Sequence, residues 1–349
     1  MGVVENLFLL LGGIALFLFG LNALSSNVGF LAGDKMSKIV RGCTKNRVGA
    51  VMVGCLSTAV LQSSIATNMI AITLVQKGIL SFFSASAVIL GTNVGTTVTA
   101  QLVSLSTSSD FEITAIGSLV AFFGFLLSVS SKRKLKYVGG AMFGFGTLFI
   151  GLKLMTDSVE CFKAYDWFTN LFLVKNPLLL LVNGFLVTCV FQSSSVVTSI
   201  LIVLASLDLM HFSNAVFIIL GVNVGTCLPV ILSSAKLSKE SKQSAIFNLA
   251  FNIFGVLIFF PLLTIFGDFF QTLFTQSVSS IGKSIANFHT MFNLVVCIIV
   301  LPILKPFCAI VQKISSYFYG EQCDQAGIKS ANSEVNKGAK GGNFKMGRI

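Results

Sequence analysis

The chain has 349 residues, of which 54% are hydrophobic and only 11% are charged. No soluble domain of this length is so apolar, so the composition excludes that class and predicts an all-α polytopic membrane protein. The apolar runs are continuous rather than alternating, which disfavours a β-barrel. The net charge of +11 does not indicate nucleic-acid binding, because the basic residues lie between the apolar runs, where orientation rules place them.

The first element is a span over about residues 5–30, which we interpret as retained because it has neither a basic leader nor a small-residue cleavage site. A basic loop over 31–47 follows. The next segment, 48–76, carries Gln62-Ser63-Ser64 at its centre. Its two arms are each about 14 residues, too short to cross a bilayer at 1.5 Å per residue, so we predict a re-entrant hairpin.

The third segment, about 80–103, contains Gly91-Thr92-Asn93-Val94-Gly95-Thr96-Thr97. Its glycines predict a helix that unwinds near its centre. A span over about 113–129 and the basic cluster 132–136 complete a first repeat, which we place at 1–136.

A second repeat, placed at 137–266, follows the same plan 130 positions later. Its hairpin, about 176–206, carries Gln192-Ser193-Ser194-Ser195, and its glycine motif is Gly221-Val222-Asn223-Val224-Gly225-Thr226. Beyond the repeats we predict an additional span within 285–312 and a polar tail, 313–349, that is disordered because it cannot bury a core.

The distribution of charge predicts the orientation of the chain. If both hairpins are re-entrant, the basic segments 31–47, 132–136 and 236–242 share one face of the membrane with Lys77. The positive-inside rule then places the N-terminus outside and the C-terminus in the cytoplasm. Each repeat has three crossings, an odd number, so we predict that the two repeats are inverted relative to each other.

The hairpins place helix ends and hydroxyl groups at the midplane. A helix N-terminus carries free N–H donors and a partial positive charge, which suits an anion. We therefore predict an anion site that needs no cationic side chain. Its hydroxyls come from five serines: Ser63, Ser64, Ser193, Ser194 and Ser195.

The glycine motifs predict a cation site beside the anion. Unwound turns would free carbonyl oxygens, and these motifs add hard oxygen ligands from Asn93, Thr96, Thr97, Asn223 and Thr226. All thirteen Asp and Glu residues lie in loops or near span ends, which disfavours a proton relay and favours sodium. The eight cysteines have no metal-ligand or disulfide spacing, so no transition metal is expected.

Two Gln-Ser-Ser clusters, each followed by Gly-x-Asn-Val-Gly-Thr, resemble the type II sodium-dependent phosphate cotransporters, including bacterial members. The segments Ala286-x-x-His289-x-x-Phe292-Asn293 and Ala245-x-x-Asn248-x-x-Phe251-Asn252 resemble a further signature of that family. The resemblance covers about residues 5–305. It implies a symporter of inorganic phosphate with sodium, which is not an enzyme and has no cofactor beyond the coupling ions.

The resemblance also implies residue roles. Phosphate would be held by Gln62, Ser63, Ser64, Gln192, Ser193, Ser194 and Ser195. Sodium would be held by Asn93, Thr96, Thr97, Asn223 and Thr226, with Gln62, Gln192 and Ser193 shared between the two ions. One departure is Ile65, which stands where the third serine of the first cluster would be, so the first repeat offers fewer ligands.

Several alternatives stay open at this point. The chain could carry another anion such as sulfate or a carboxylate, or form a passive anion channel. An intramembrane serine hydrolase using Ser194 and His289 is disfavoured, because no nucleophile motif or triad partner accompanies them. The expected location is the cell membrane, inner or plasma, with lipid, phosphate and sodium as partners and a homodimer left open.

Overall fold

The structure is a computed structural model that describes residues 3–43, 46–108, 113–165, 174–276, 278 and 280–319. These residues form fourteen α-helices and no strand. The first seven are α1 Val3–Cys43, α2 Arg47–Leu61, α3 Ser64–Gln76, α4 Phe82–Ser108, α5 Ile113–Ser128, α6 Arg133–Phe162 and α7 Pro177–Phe191. The others are α8 Ser194–Ser206, α9 Phe212–Gly225, α10 Cys227–Ser234, α11 Lys239–Ile265, α12 Gly267–Thr275, α13 Ile281–Val300 and α14 Leu304–Tyr319.

Six stretches of helix in the described residues are long and apolar enough to cross a membrane. They are Val3–Leu31, Phe82–Ser106, Arg133–Phe162, Phe212–Ser234, Lys239–Ile265 and Ile281–Val300. The prediction of a multi-pass, all-helical membrane protein is therefore confirmed. The helices of the two predicted hairpins are shorter, with 15 residues in α2 and α7 and 13 in α3 and α8.

The helix boundaries recur at the 130-residue offset found in the sequence. Helix α7 begins and ends 130 positions after α2, and α8 begins and ends 130 positions after α3. The turn that follows each pair of short helices also matches, because Gly78 after α3 and Asp208 after α8 both have a positive φ, of 66° and 57°. The two halves thus repeat the same local backbone geometry.

Glycines bring α2 into close contact with α4, and α7 into close contact with α9. A Cβ atom at Gly91 of α4 would overlap the Val51 carbonyl oxygen of α2, and one at Gly95 would overlap the Cys55 carbonyl oxygen. Residue numbers rise together along both helices, so α2 and α4 run parallel. The same contacts join α7 to α9, where Gly221 lies against the Leu181 carbonyl.

The predicted broken helix is wrong for the first repeat. Helix α4 is continuous from Phe82 to Ser108, and its glycines serve close packing rather than unwinding. In the second repeat α9 ends at Gly225 and α10 begins at Cys227. Pro229 explains this break, since it has no N–H to donate to the Gly225 carbonyl four residues earlier. Thr99 occupies the matching position of α4 and leaves that helix intact.

Helices α1, α5 and α6 form a three-helix unit. Gly13 of α1 lies against the backbone of Met155 in α6, and Gly20 lies against that of Leu148. Residue numbers rise along α1 as they fall along α6, so these two helices run antiparallel. Gly124 and Gly139 join α5 to α6 in the same close, antiparallel manner.

Several predicted boundaries differ from the structure. The basic segment after the first span is helical as far as Cys43 rather than a loop. Helix α12 lies between the second repeat and the predicted additional span, in a segment for which no helix was predicted. The tail predicted to be disordered over 313–349 is helical up to Tyr319 in α14, and residues 320–349 lie outside the described residues. One face of α14, with Leu304, Cys308 and Val311, is buried against the rest of the protein, which stabilises this short helix.

Candidate functional site

The two Gln-Ser-Ser clusters form two matching turns between short helices. Gln62 ends α2 with φ 51° and ψ 26°, and Gln192 ends α7 with φ 53° and ψ 27°. The following serines, Ser63 and Ser193, are extended and begin α3 and α8. A left-handed residue ends a helix, and glutamine adopts this conformation at some cost in strain. Each turn thus combines a strained glutamine with the N-terminus of a helix.

Both turns line the same cavity, whose volume is about 440 Å³. Residues of the first turn reach it from one repeat and residues of the second turn reach it from the other. Helix α1 and Thr226 complete the wall. The lining side chains in the described part of the chain are all uncharged: Leu18, Leu21, Asn22, Ser25, Gln62, Ser63, Ser64, Ile65, Phe191, Gln192, Ser193, Ser194, Ser195, Val196 and Thr226.

All seven residues predicted to hold phosphate line this cavity. The two turns differ, however, in the donors they leave free. The Ser63 hydroxyl accepts a hydrogen bond from the Ala66 N–H at 3.2 Å and so caps α3. No side chain caps the described N-terminus of α8, where Ser193 and Ser195 add hydroxyls. The second turn therefore presents more unsatisfied donors to the cavity.

Thr99 is a neighbour of the first turn that the sequence did not single out. Its hydroxyl donates to Gln62 Oε1 at 2.7 Å and holds the amide in place. The corresponding residue in the second repeat is Pro229, which cannot play this role. The difference between Thr99 and Pro229 was visible in the aligned repeats, but only the fold shows that position 99 contacts the turn.

The residues predicted to hold sodium separate into two groups. Gln62, Gln192, Ser193 and Thr226 line the cavity. The others do not line it: Asn93, Thr96, Thr97 and Asn223. Their side chains bond to nearby carbonyls instead, as when Asn223 Nδ2 donates to Ile219 O at 2.8 Å and Thr97 Oγ1 donates to Val94 O at 2.8 Å. The assignment of these residues to sodium stays a prediction.

Asn93 belongs to a buried polar cluster that joins the two repeats. Its Nδ2 donates to Asn248 Oδ1 at 3.1 Å, and its Oδ1 accepts from Asn252 Nδ2 at 3.2 Å. Asn252 Nδ2 also lies 3.2 Å from the Cys227 sulfur. Asn248 and Asn252 come from the Ala245-x-x-Asn248-x-x-Phe251-Asn252 motif, so the sequence marked them without revealing their partner.

We expect Asn252→Ala to lower the thermal stability of the purified protein. The substitution would leave the Asn93 carbonyl oxygen and the Cys227 sulfur without this donor, and a lost buried hydrogen bond costs about 1–3 kcal/mol. Thermal unfolding in detergent would measure the shift. Asn183→Ala is the matched control, because Asn183 is exposed. Equal shifts for the two variants would contradict a structural role for the cluster.

Comparison with known proteins adds to this geometry. The sequence model of the family described as Na+/Pi-cotransporter matches residues 16–157 and 168–296. YqeW of Bacillus subtilis (strain 168) is 28% identical over 84% of this chain and 93% of its own length. The Escherichia coli (strain K12) protein named "Putative inorganic phosphate export protein YjbB" is 24% identical over 86% of this chain.

A third relative is the "Sodium-dependent phosphate transport protein 2A" of Rattus norvegicus, which is 35% identical over 104 residues, or 29% of this chain and 16% of its own length. The chain spans about half of YjbB, 54% of its length. No solved structure matches the chain at a significant level. The family match covers most of the residues, including both turns and both glycine motifs. The chain therefore belongs to the Na+/Pi-cotransporter family, whose members are transporters and not enzymes.

Proposed function

We propose that this protein is a secondary transporter that moves inorganic phosphate together with sodium by alternating access. One observation carries the proposal: the two Gln-Ser-Ser turns, which are 130 residues apart, line one uncharged cavity. Polar side chains and free helix ends within a membrane protein typically mark a solute pathway. The family match and the names of the relatives support phosphate as the solute.

The turns suit a tetrahedral oxyanion. Serine hydroxyls, glutamine amides and the N–H groups at the start of α8 are all hydrogen-bond donors, and helix N-termini favour negative charge. Several neutral donors bind an anion without the tight ion pair that a buried arginine would form. Such a site can release its solute, which a carrier must do on every cycle.

Sodium coupling is supported by the chemistry of the cavity. Its oxygen-bearing residues offer hydroxyl and amide oxygens, which are hard ligands suited to an alkali cation. The lining residues of the described cavity include no carboxylate or histidine that could relay a proton. A sodium ion beside the anion would also offset part of its charge.

Two features of the helices support re-entrant hairpins. Helices α2 and α4 run parallel, so α3, which lies between them in the chain, must return toward the end where α2 began. The contact of the Arg47 guanidinium with the Phe83 ring, 5.1 Å from its centroid, joins the start of α2 to the start of α4. With 15 and 13 residues, α2 and α3 extend about 20 Å each, less than a hydrocarbon core.

The inversion of the two repeats is supported by α1 and α6. These helices correspond in sequence, since Gly20-Leu21 of α1 matches Gly151-Leu152 of α6, yet they run antiparallel. Helices that correspond in sequence but point in opposite directions are typical of an inverted repeat. We propose that the two hairpins enter the membrane from opposite sides and that their turns meet near its centre.

The location of basic residues supports a first span whose C-terminal end is cytoplasmic and whose N-terminus is therefore outside. Tyr137 stacks on Phe30 at 4.9 Å, and the Arg133 guanidinium lies 5.9 Å from the Tyr137 ring centroid. The basic residues around 133 therefore share one end of the protein with the end of the first span. The positive-inside rule makes this end cytoplasmic in the cell membrane.

Alternating access would proceed by motion between two bodies. The unit of α1, α5 and α6 is closely packed through its glycines, and the glycine contacts of α2 with α4 and of α7 with α9 make the hairpin helices equally compact. The cavity lies where α1 meets the two turns. A shift of the three-helix unit against the hairpin helices would open this cavity to one side and then to the other.

The proposal is tested by phosphate uptake into liposomes containing the purified protein, with sodium, potassium or proton gradients imposed in turn. We expect uptake that depends on the sodium gradient alone. The double variant Ser63→Ala with Ser193→Ala should reduce it about a hundredfold or more, because each hydroxyl bonded to a charged solute contributes about 1.5–3 kcal/mol and every 1.4 kcal/mol is about a factor of ten. Thr264→Ala, which removes an exposed hydroxyl of α11 away from the cavity, is the control.

The alternatives give different outcomes in the same assay. Competition by sulfate or a carboxylate at equal concentration would indicate a carrier of another anion. Flux that is independent of sodium and linear in phosphate would indicate a passive channel. Undiminished uptake by the double serine variant would remove the turns from the transport site. The direction of flux follows the gradients, so a symporter is also compatible with a relative named for export.

A further inference from the structure

Helices α1 and α6 pack against each other with a local two-fold symmetry. Gly20-Leu21 of α1 corresponds to Gly151-Leu152 of α6, an offset of 131 residues that also relates Gly13 to Gly144. A Cβ atom at Gly13 would lie 3.0 Å from the Gly151 carbonyl oxygen, and one at Gly144 would lie 2.8 Å from the Gly20 carbonyl oxygen. Exchanging corresponding residues turns the first contact into the second, as a pair of inverted repeats predicts.

A polar pair one helical turn apart occurs at corresponding positions of the two helices. In α1 the Ser26 hydroxyl donates to Asn22 Oδ1 at 3.5 Å. The residues 131 positions later in α6 form an ion pair, in which Lys153 Nζ lies 2.5 Å from Asp157 Oδ1. The two helices thus share the geometry of this pair, but only α6 carries charge there.

The ion pair of α6 lies outside the solute cavity. Asn22 and Ser25 of α1 line the cavity, whereas their counterparts Lys153 and Thr156 do not. The side chain of Lys153 is 56% exposed. It belongs to a helix that is long and apolar enough to cross a membrane, where a charged side chain is costly and typically has a functional role.

A groove beside α7 has no counterpart beside α2. On α2, Val53 and Ser57 are only 7% and 2% exposed. The corresponding residues of α7 are Asn183, which is exposed, and Val187, which is 40% exposed, and both line an open groove of about 210 Å³. Helix α1 contacts α2, whereas α6 makes no comparable contact with α7 in the described part of the chain. The place beside α7 that corresponds to the place of α1 is therefore open.

We infer that Lys153 binds the transported anion in the second access state, in the place that Asn22 has in the present structure. This inference rests on the proposed function and deepens it, because it adds an anion-binding residue to the same site. In an inverted-repeat carrier, the second access state arises when the two repeats exchange their conformations. Helix α6 then enters the groove beside α7, and Lys153 and Thr156 replace Asn22 and Ser25 in the wall of the cavity.

The exchange changes the charge of the site. The wall formed by α1 offers neutral donors, whereas the Lys153 ammonium would form a charge-assisted hydrogen bond with the anion, and such bonds are the stronger kind. Asp157 stays one helical turn away and offsets part of this charge, so the anion can still be released. The protein would therefore bind phosphate more tightly from the face to which the second state opens.

The test measures KM for phosphate separately from each face of reconstituted vesicles, which are prepared at low protein density and sorted by capture of a C-terminal tag. Lys153→Met should raise the lower KM about tenfold, the value of a hydrogen bond to a charged group, and change the higher KM by less than about twofold. Lys153→Arg, which retains the charge, should recover most of the loss. Lys163→Met is the matched control, since Lys163 is an exposed lysine at the C-terminal end of the same helix, outside the cavity.

Two double variants separate the effect of the lysine from that of its partner. Lys153→Met leaves the Asp157 carboxylate uncompensated, and this carboxylate would repel phosphate by itself. Lys153→Met with Asp157→Asn removes both charges and should raise the same KM by a similar factor. Asn22→Lys with Ser26→Asp transfers the ion pair to α1 and should lower the higher KM, which brings the two faces closer together.

Size-exclusion profiles would verify that each variant is folded, and the transferred pair leaves α6 intact if Lys153→Met does not fold. Unchanged KM values in Lys153→Met would mean that the lysine only extends to the membrane interface, and would overturn the inference. An equal rise on both faces, or a rise that Asp157→Asn abolishes, would overturn it as well. Absence of sodium-dependent phosphate uptake by the wild type would instead overturn the proposed function itself.

Discussion

Gly221→Leu is expected to prevent folding, whereas Gly12→Ala should be tolerated. A Cβ atom at Gly221 would overlap the Leu181 carbonyl oxygen and lie 2.8 Å from both the Leu181 carbonyl carbon and the Phe185 nitrogen. These are backbone atoms of a neighbouring helix and cannot rotate away. Helices α7 and α9 would have to separate, which removes the packing that holds the second turn at the cavity.

The expected loss of folding free energy for Gly221→Leu exceeds about 4 kcal/mol, a large part of the stability of an ordinary protein. Gly221→Ala should have a smaller effect, because a single methyl group needs a smaller separation. At Gly12 the nearest atom to an added Cβ is Leu154 Cδ2 at 3.9 Å, which is ordinary contact. Fluorescence-detected size exclusion after heating would rank the three variants. A monodisperse, heat-stable Gly221→Leu protein would show that the two helices do not need this close contact.

Much of the fold could be predicted because the chain repeats its polar clusters. A glutamine followed by serines within an apolar run marks a turn, and its recurrence 130 positions later predicted the boundaries of four short helices to within a residue or two. The hydrophobic length of the spans predicted the membrane class. These features are local, so they can be read without knowing which helices are neighbours.

The other parts of the fold and of the site could not be predicted, because they depend on contacts between segments that are distant in the chain. Gly91 and Gly95 could serve either an unwound turn or close packing, and only the position of the Val51 carbonyl decides for packing in α4. Asn93 was assigned to a sodium site because its partners in α11 could not be inferred from spacing. The wall residues Asn22 and Ser25 were missed because only the fold brings α1 to the two turns. The sequence predicts the duplicated turns, whereas the residues of other helices that complete the cavity are recognised only in the fold.

Two substitutions of Gln192 can show whether its side chain binds the solute or serves only to end α7. Gln192 has φ 53°, a conformation that favours glycine, and in the described residues its side chain makes no hydrogen bond with the protein. A residue with a Cβ pays about 1–2 kcal/mol for this backbone. A strained glutamine with an unused amide beside a cavity is typical of a side chain retained for a ligand.

We therefore expect Gln192→Gly to be as stable as the wild type or slightly more so, yet to transport phosphate 10–100 times more slowly, about the value of one hydrogen bond to a charged solute. Relief of strain should roughly balance the greater freedom of glycine in the unfolded chain. Gln192→Ala retains the strain, so it should lose the same activity and be less stable than Gln192→Gly by about 1 kcal/mol.

Uptake in liposomes measures the transport rate of these variants, and thermal unfolding in detergent measures their stability. If glutamine served only to end α7, Gln192→Gly would transport phosphate at the wild-type rate, because glycine ends a helix in this conformation at least as well. A slow Gln192→Gly protein of normal stability would instead assign the amide to the solute, since the backbone of the turn would be unchanged.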